Sequence, residues 1–169
     1  MLVHGSPRQR LRPDGTSNED LTQHLAAFFA PIAEHCAARG VTYCIEPLST
    51  RETDVLTTVA EAAALVEVVD SPAFRTMIDT SAAGQVEPPV ADLIRRWVPT
   101  GLIHHIHAND TNRGGPGMGD DPFPEIVAAL VETGWPHPIG VEPFRTLIDA
   151  RVTAAVGIAT LRACEQARS

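Results

Sequence analysis

The chain contains 169 residues, a length that suits a single domain over residues 1–169 with one continuous core. Hydrophobic residues make up 44% and charged residues 20% of the sequence, which excludes a disordered or fibrous protein. The 13 basic and 21 acidic residues give a formal charge of -8, and such a field repels phosphate backbones. We therefore expect a small-molecule partner and no nucleic acid.

The cysteines and the apolar runs indicate the compartment. Cys36, Cys44 and Cys164 are odd in number and far apart, which matches neither a disulfide framework nor a CxxC zinc site, so we expect reduced core thiols. No apolar run approaches the ~20 residues of a membrane span, and the opening MLVHGSPRQR lacks the apolar stretch of a signal peptide. The sequence predicts a cytoplasmic protein with no membrane partner.

The first predicted elements are a strand, a helix and a second strand. MLVHG at the start counts as the first strand. A helix is predicted between Ser17 and Gly40, with Ser17 and Asp20 as its capping box. Its apolar residues recur at helical spacing and are Leu21, Leu25, Phe28, Ile32 and Cys36. VTYCIEPL, residues 41–48, is short, β-branched and ended by proline, which is typical of a strand buried on both faces.

The same alternation continues to the end of the chain. The further predicted helices cover residues 55–69, 90–97, 122–134 and 151–167. The further predicted strands cover residues 74–79, 102–108 and 138–144. Together these segments make five strand-then-helix units.

Repeated βα units predict an α/β fold with a parallel sheet covered by helices, because each crossover returns the chain to the same end. This pattern is compatible with a barrel and with an open sheet. A complete (β/α)8 TIM barrel usually needs ~250 residues. Five units at about 30 residues each account for the whole chain, so a barrel here would be partial, with three units absent.

Four polar side chains stand where predicted strands end. They are Glu46, Asp79, His107 and Glu142, and each emerges from a strongly apolar run. Parallel strands deliver their carboxyl ends to one face of the sheet, which is where catalytic groups gather. Buried carboxylates cost several kcal/mol unless they are paired or bound to metal. The joint placement therefore predicts one shared divalent cation.

Oxygen-rich ligands with one imidazole suit Mn²⁺, Mg²⁺ or Co²⁺, and Zn²⁺ is also compatible. Taken singly, each residue has another interpretation. A lone glutamate at a strand end is more often a cap or an ion-pair member, and Asp79 before Thr80 is equally suited to capping a turn. Along the predicted strand, alternation places His105 and His107 on one face and His104 on the other, which favours a structural role for His104.

Several motifs carry a resemblance to a known family. They are IEPL at 45–48, ID at 78–79, HIHAND at 105–110, RGGPGMG at 113–119 and VEPF at 141–144. In this order and spacing they resemble the sugar phosphate isomerase/epimerase superfamily, the xylose isomerase-like barrels that include ketose 3-epimerases, hydroxypyruvate isomerase and, more distantly, endonuclease IV. The resemblance implies that the five units correspond to barrel strands 4 to 8 and that the chain is N-terminally truncated. GSPRQR at 5–10 then resembles the region after the fourth strand.

The resemblance also implies roles for individual residues. It makes Glu46, Asp79, His107 and Glu142 the metal ligands, with Mn²⁺ as the preferred ion. Glu52, six residues after the first ligand, and Arg113, six after the histidine, would contact substrate. His105, two residues before that histidine, would orient a hydroxyl. The family's ketose 3-epimerases carry a substrate-binding histidine three residues after the aspartate, whereas this chain has Ala82.

The implied function is that of an isomerase in carbohydrate metabolism. A metal-polarised hydroxy-ketone sugar or sugar phosphate would lose and regain a carbon-bound proton through an enediolate, with Glu46 and Glu142 as the acid/base pair. Epimerisation and aldose/ketose isomerisation both stay open. Two alternatives are a non-catalytic truncated barrel that binds metal or forms homo-oligomers through its open sheet edges, and an endonuclease IV-like phosphodiesterase, which the acidic charge argues against.

Overall fold

A computed structural model describes residues 1–167. Five parallel strands form one sheet in chain order, which confirms the predicted partial barrel. The strands are β1 (Leu2–His4), β2 (Tyr43–Ile45), β3 (Phe74–Asp79), β4 (Ile103–His107) and β5 (Ile139–Gly140). The helices are α1 (Asn18–Ala37), α2 (Val59–Val69), α3 (Thr80–Val86), α4 (Val90–Trp97), α5 (Phe123–Glu132) and α6 (Ala150–Gln166). A 3₁₀ turn over Val98–Thr100 follows α4.

The helices cover the sheet and bury two apolar clusters against it. One cluster lies where Phe29 of α1 meets Phe74 of β3, with ring centroids 5.1 Å apart. The other lies under α4 and α5 and includes Phe123 and Ile106. Both clusters pack apolar residues of the central strands against helices. The polar residues at the strand ends lie outside these clusters, at the carboxyl end of the sheet.

The chemistry of the caps decides where the helices begin. Ser17 accepts a hydrogen bond from the Asp20 backbone N–H and so begins α1 as predicted. Thr58 and Glu61 form a reciprocal capping box, which starts α2 four residues later than the expected Val55. The helix α3 was not predicted, and Asp79 caps it.

The sequence pattern misplaces part of the core. Phe28 is 59% exposed, whereas its neighbour Phe29 is 3% exposed and makes the contact with the core. The predicted strand over residues 138–144 is only two residues long. The register between β3 and β4 shifts by one residue, because Thr76 pairs with Ile103 but the next residue, Met77, pairs with His105. This shift interrupts the strict alternation that predicted opposite faces for His104 and His105.

The cysteines of the described residues are free thiols. Cys36 and Cys44 are buried as expected, and burial raises the pKa of Cys44 to about 12, which keeps it protonated. Cys164 is only half-buried, and it packs against the margin of the core cluster under α4 and α5. Over residues 1–167, none of the helices combines the length and apolar character that crossing a bilayer requires.

Candidate metal centre

The four predicted ligand residues come together at one end of the sheet. Glu46 follows β2, Asp79 ends β3, His107 ends β4, and Glu142 lies two residues beyond β5. One ligand atom from each residue lies within 4.8 Å of the others. Among residues 1–167 this is the single group of three or more potential ligands with such spacing.

His107 lies at the centre of the cluster. Its Nδ1 atom is 3.1 Å from Glu46 Oε1, 3.2 Å from Glu142 Oε2 and 3.7 Å from Asp79 Oδ2. The Glu46 and Asp79 side chains are 7% and 6% exposed, whereas that of Glu142 is 51% exposed. Three carboxylates therefore surround one imidazole nitrogen, and the cluster opens to solvent on the Glu142 side.

The cluster shifts the pKa values of two of its members. Burial alone would lower the pKa of His107, but the carboxylates of Asp79, Glu46 and Glu142 outweigh it and raise the pKa to about 10. Burial raises the pKa of Glu142; the charge of His107 lowers it, and those of Glu46 and Asp79 raise it. A proton on His107 is thus the positive charge that holds the carboxylates together.

A divalent cation fits the same position. Three carboxylate oxygens and one imidazole nitrogen are ligands that Mn²⁺, Mg²⁺, Co²⁺ or Zn²⁺ accepts, and they are already close enough to share an ion. The mutual repulsion of the carboxylates is relieved by any cation between them. Bound metal would replace the proton on His107 Nδ1, because a ligating imidazole must be neutral.

Asp79 caps a helix and also belongs to the cluster of predicted ligands. Its Oδ1 atom accepts a hydrogen bond of 2.8 Å from the Ala82 backbone N–H and so caps α3. Its Oδ2 atom faces His107. Capping therefore fixes the side chain with one oxygen directed at the cluster.

A cavity of about 140 Å³ opens beside the cluster. Its lining includes the three clustered carboxylates and two residues predicted to contact substrate, Glu52 and Arg113. Glu52 Oε2 accepts hydrogen bonds from the backbone N–H and the hydroxyl of Ser49, so the carboxylate belongs to a turn and not to a helix N-terminus.

Arg113 reaches the cavity from a tight turn after β4. The turn is closed by two backbone hydrogen bonds of 2.8 Å, from Asp110 N–H to Gly114 C=O and from Arg113 N–H to Asp110 C=O. Arg113 adopts a φ of 70°, which a non-glycine residue rarely does. Its guanidinium carbon lies 4.6 Å from the ring centre of Phe144, a cation–π contact that directs the side chain.

His105 is buried and lies beside the metal cluster. Its ring centroid is 4.9 Å from that of His107, and burial with neighbouring histidines lowers its pKa to about 4, so the ring is neutral. It is not among the residues that line the cavity described above. His104 instead contacts Thr42 and His137, away from the cluster.

Sequence reasoning missed three residues around the site. Asn109 is fully buried and bonds to Asp79 through its side-chain amide. Arg10 is buried and donates to the backbone carbonyls of Glu46 and His4. Gly5 lies against Glu46, where a Cβ atom would be 1.7 Å from Oε2. Asn109 and Arg10 stand inside the motifs HIHAND and GSPRQR, but only tertiary contacts reveal what they touch.

Comparison with known proteins agrees with the fold. The family model described as xylose isomerase-like TIM barrel matches residues 1–164. The D-psicose 3-epimerase of Agrobacterium fabrum is 35% identical over 113 residues, which is 67% of this chain and 38% of that enzyme. The chain thus spans well under half the length of this relative.

Two solved structures have the same architecture. A crystal structure of D-psicose 3-epimerase in the presence of D-fructose superposes with a TM-score of 0.75 and 26% identity, over 89% of this chain and 59% of that one. A family 2 AP endonuclease from Brucella melitensis superposes with a TM-score of 0.75 at 22% identity, over 86% of this chain and 57% of that one, a likeness of fold alone. From its profile match and its epimerase relatives, the chain belongs to the xylose isomerase-like TIM barrel family.

Proposed function

We propose that the chain, acting as one domain, is the metal-binding and catalytic part of a ketose 3-epimerase or a closely related sugar isomerase. The observation that carries the proposal is the convergence of Glu46, Asp79, His107 and Glu142 within 4.8 Å of one another beside a polar cavity. The epimerase relatives support the class of reaction. Mn²⁺ is the ion we expect, with Mg²⁺, Co²⁺ or Zn²⁺ as substitutes.

The positions of two glutamates support the proposed proton-transfer roles. Glu46 and Glu142 lie on opposite sides of β4 in the sheet order, Glu46 after β2 and Glu142 after β5, and each contacts His107 Nδ1. We assign them as the pair that removes and returns the carbon-bound proton. When bound, the metal polarises the substrate carbonyl and stabilises the enediolate charge.

The remaining predicted contacts concern substrate binding. Glu52 and Arg113 line the cavity with groups that pair with sugar hydroxyls. His105 stands behind His107, so its contribution to a hydroxyl would require the substrate to reach past the ligand cluster. Because Ala82 lines the cavity where the epimerase pattern has histidine, we expect hydroxyl preferences that differ from those of the relatives. We place the enzyme in the cytoplasm, with a small sugar as its partner.

Deuterium exchange tests the proposal. The full chain with Mn²⁺ is incubated in D₂O with D-fructose or D-psicose, and incorporation of carbon-bound deuterium is followed by NMR. We expect incorporation by the wild type, at least 10²-fold slower incorporation by Glu142→Gln, and unchanged incorporation by Glu125→Gln, an exposed glutamate of α5. Equal rates for the wild type and Glu142→Gln, or no incorporation at all, would contradict the proposed function.

A second candidate function is non-catalytic self-association through the sheet edges. Strands β1 and β5 each pair on one side only, and Leu2 and Val3 of β1 are 53% and 38% exposed. An unpaired, apolar edge favours pairing with another chain. Sedimentation velocity over a range of concentrations tests this: Leu2→Lys should reduce association, whereas Phe28→Lys on exposed α1 should not. A wild type that stays monomeric throughout would exclude it.

A further inference from the structure

A single buried amide joins two of the candidate ligand residues. Asn109 follows β4 and is 0% exposed. Its Nδ2 donates a hydrogen bond of 2.8 Å to Asp79 Oδ2, the oxygen that faces His107. Its Oδ1 accepts a hydrogen bond of 2.8 Å from the Glu142 backbone N–H. The side chain therefore connects the ends of β3, β4 and β5.

The position of Glu142 depends on this connection. The ladder between β4 and the two-residue β5 ends where the Ala108 N–H donates to the Gly140 carbonyl at 2.7 Å. Two residues later, the N–H of Glu142 finds its acceptor in the Asn109 side chain and not in a strand. The Glu142 side chain itself is half-exposed and lies 3.2 Å from His107 Nδ1. The Asn109 side chain thus replaces a neighbouring strand as the acceptor for the N–H of Glu142, a proposed metal ligand.

Only one orientation of the Asn109 amide satisfies both neighbours. The NH₂ group meets a carboxylate, which only accepts, and the oxygen meets a backbone N–H, which only donates. The backbone of Asn109 is also fixed, because its N–H donates to Thr80 Oγ1 at 2.9 Å and the Thr80 hydroxyl donates to its carbonyl. Asn109 is therefore held rigidly while it orients the two carboxylate-bearing residues.

We propose that Asn109 is a positioning residue that sets the placement of Asp79 and Glu142 around the cation. It does not contact the cation or the substrate and acts through the two ligand residues. Its role in metal binding rests on the function proposed above, whereas its role in holding Glu142 does not. The test therefore measures the two separately.

Hydrogen exchange measures the hold on Glu142 in the metal-free full chain. Exchange of the Glu142 amide, followed by NMR, should become at least tenfold faster in Asn109→Ala. Asn109→Asp is unsuitable, because it would set a second carboxylate against Asp79 Oδ2. The Ala108 amide, bonded to Gly140, should exchange at an unchanged rate in Asn109→Ala. An unchanged Glu142 exchange rate in Asn109→Ala would overturn the proposal.

Calorimetric titration with Mn²⁺ measures the consequence for metal binding. We expect Asn109→Ala to weaken Mn²⁺ binding by about 10- to 100-fold, as loss of groups that orient metal ligands does. The matched control is Thr76→Val, which removes another fully buried hydrogen bond of β3, to the Ile45 carbonyl, without touching a ligand. An equal loss of affinity in both variants, or none in Asn109→Ala, would overturn the metal-placing role. A wild type that binds no Mn²⁺ would reject the proposed function and that role together, while faster Glu142 exchange would still support the hold on Glu142.

Discussion

At the scale of single residues, His107 and Gly5 determine how the carboxylates are arranged. The imidazole of His107 supplies the positive charge that three nearby carboxylates require when no metal is bound. Gly5 supplies space, since its lack of a side chain lets the Glu46 carboxylate lie against the end of β1. Both residues act on the geometry of the cluster, one through charge and one through volume, and each leads to a prediction.

The raised pKa of His107 predicts how the stability of the metal-free protein depends on pH. The folded pKa is about 10 against an ordinary value of 6.5, so the folded state binds the proton more tightly than the unfolded state. The stabilisation of the folded state by this proton is complete below pH 6.5 and is lost as the pH rises towards 10. Urea unfolding in the presence of a chelator should therefore show a free energy of unfolding that falls from pH 6.5 to 9.5.

The control for this titration is His107→Gln, which cannot bind the proton. Its unfolding free energy should decline less over the same pH interval, although other groups still titrate there. Identical slopes for the variant and the wild type would show that His107 does not carry the raised pKa.

Gly5→Ala should weaken metal binding with little effect on folding. The added Cβ would lie 1.7 Å from Glu46 Oε2, but that atom ends a flexible side chain and can move away. The fold therefore survives, whereas one ligand is displaced, and we expect Mn²⁺ affinity to fall by about tenfold or more. Gly115→Ala is the control, because its Cβ would meet its nearest neighbour at an ordinary 3.7 Å. Calorimetry showing equal affinities for both variants would refute the steric argument.

At the scale of elements, periodicity and caps predicted the order of strands and helices, and tertiary contacts decided their extents. Apolar spacing found every strand, most clearly the central β2, β3 and β4, whose apolar residues are largely buried. It overestimated β5, where VEPF continues an extended pattern but the Glu142 N–H bonds to a side chain. It missed α3, because TSAAGQV carries almost no apolar periodicity and depends on Asp79 as its cap.

Part of the site could be anticipated from the sequence. Strand-end placement brought Glu46, Asp79, His107 and Glu142 to attention, and the structure brings these four together. Their ligand roles stay predictions. Asn109 could not be found in this way, since a neutral amide after a strand has many uses and only its two partners reveal this one.

The capping box of α2 predicts a local contribution to stability. Thr58 accepts from the Glu61 N–H, and Glu61 accepts in return from the Thr58 N–H. Thr58→Ala should lower the free energy of unfolding by about 1 kcal/mol. It should leave Mn²⁺ affinity unchanged, because the capping hydrogen bonds of Thr58 go to Glu61 and Thr58 does not line the cavity beside the cluster. Urea titration measures the first quantity. Thr22→Ala, on the exposed part of α1, should change it by less than about 0.5 kcal/mol, and an equal effect would exclude a capping role.

At the scale of the whole molecule, a five-stranded parallel sheet brings side chains from distant parts of the sequence to one mouth. Glu46 and Glu142 are separated by most of the chain, yet both contact His107 Nδ1. Each strand contributes its carboxyl end, so the arrangement follows from the parallel topology and not from any local motif. The central claim is therefore that one cation unites β2, β3, β4 and the segment after β5.

A crystal structure of the chain grown with Mn²⁺, with diffraction data collected at the manganese absorption edge, tests this claim most directly. We predict a single strong anomalous peak within bonding distance of His107 Nδ1 and of one oxygen each from Glu46, Asp79 and Glu142. A peak bound elsewhere, or no peak among these four side chains at saturating Mn²⁺, would contradict it.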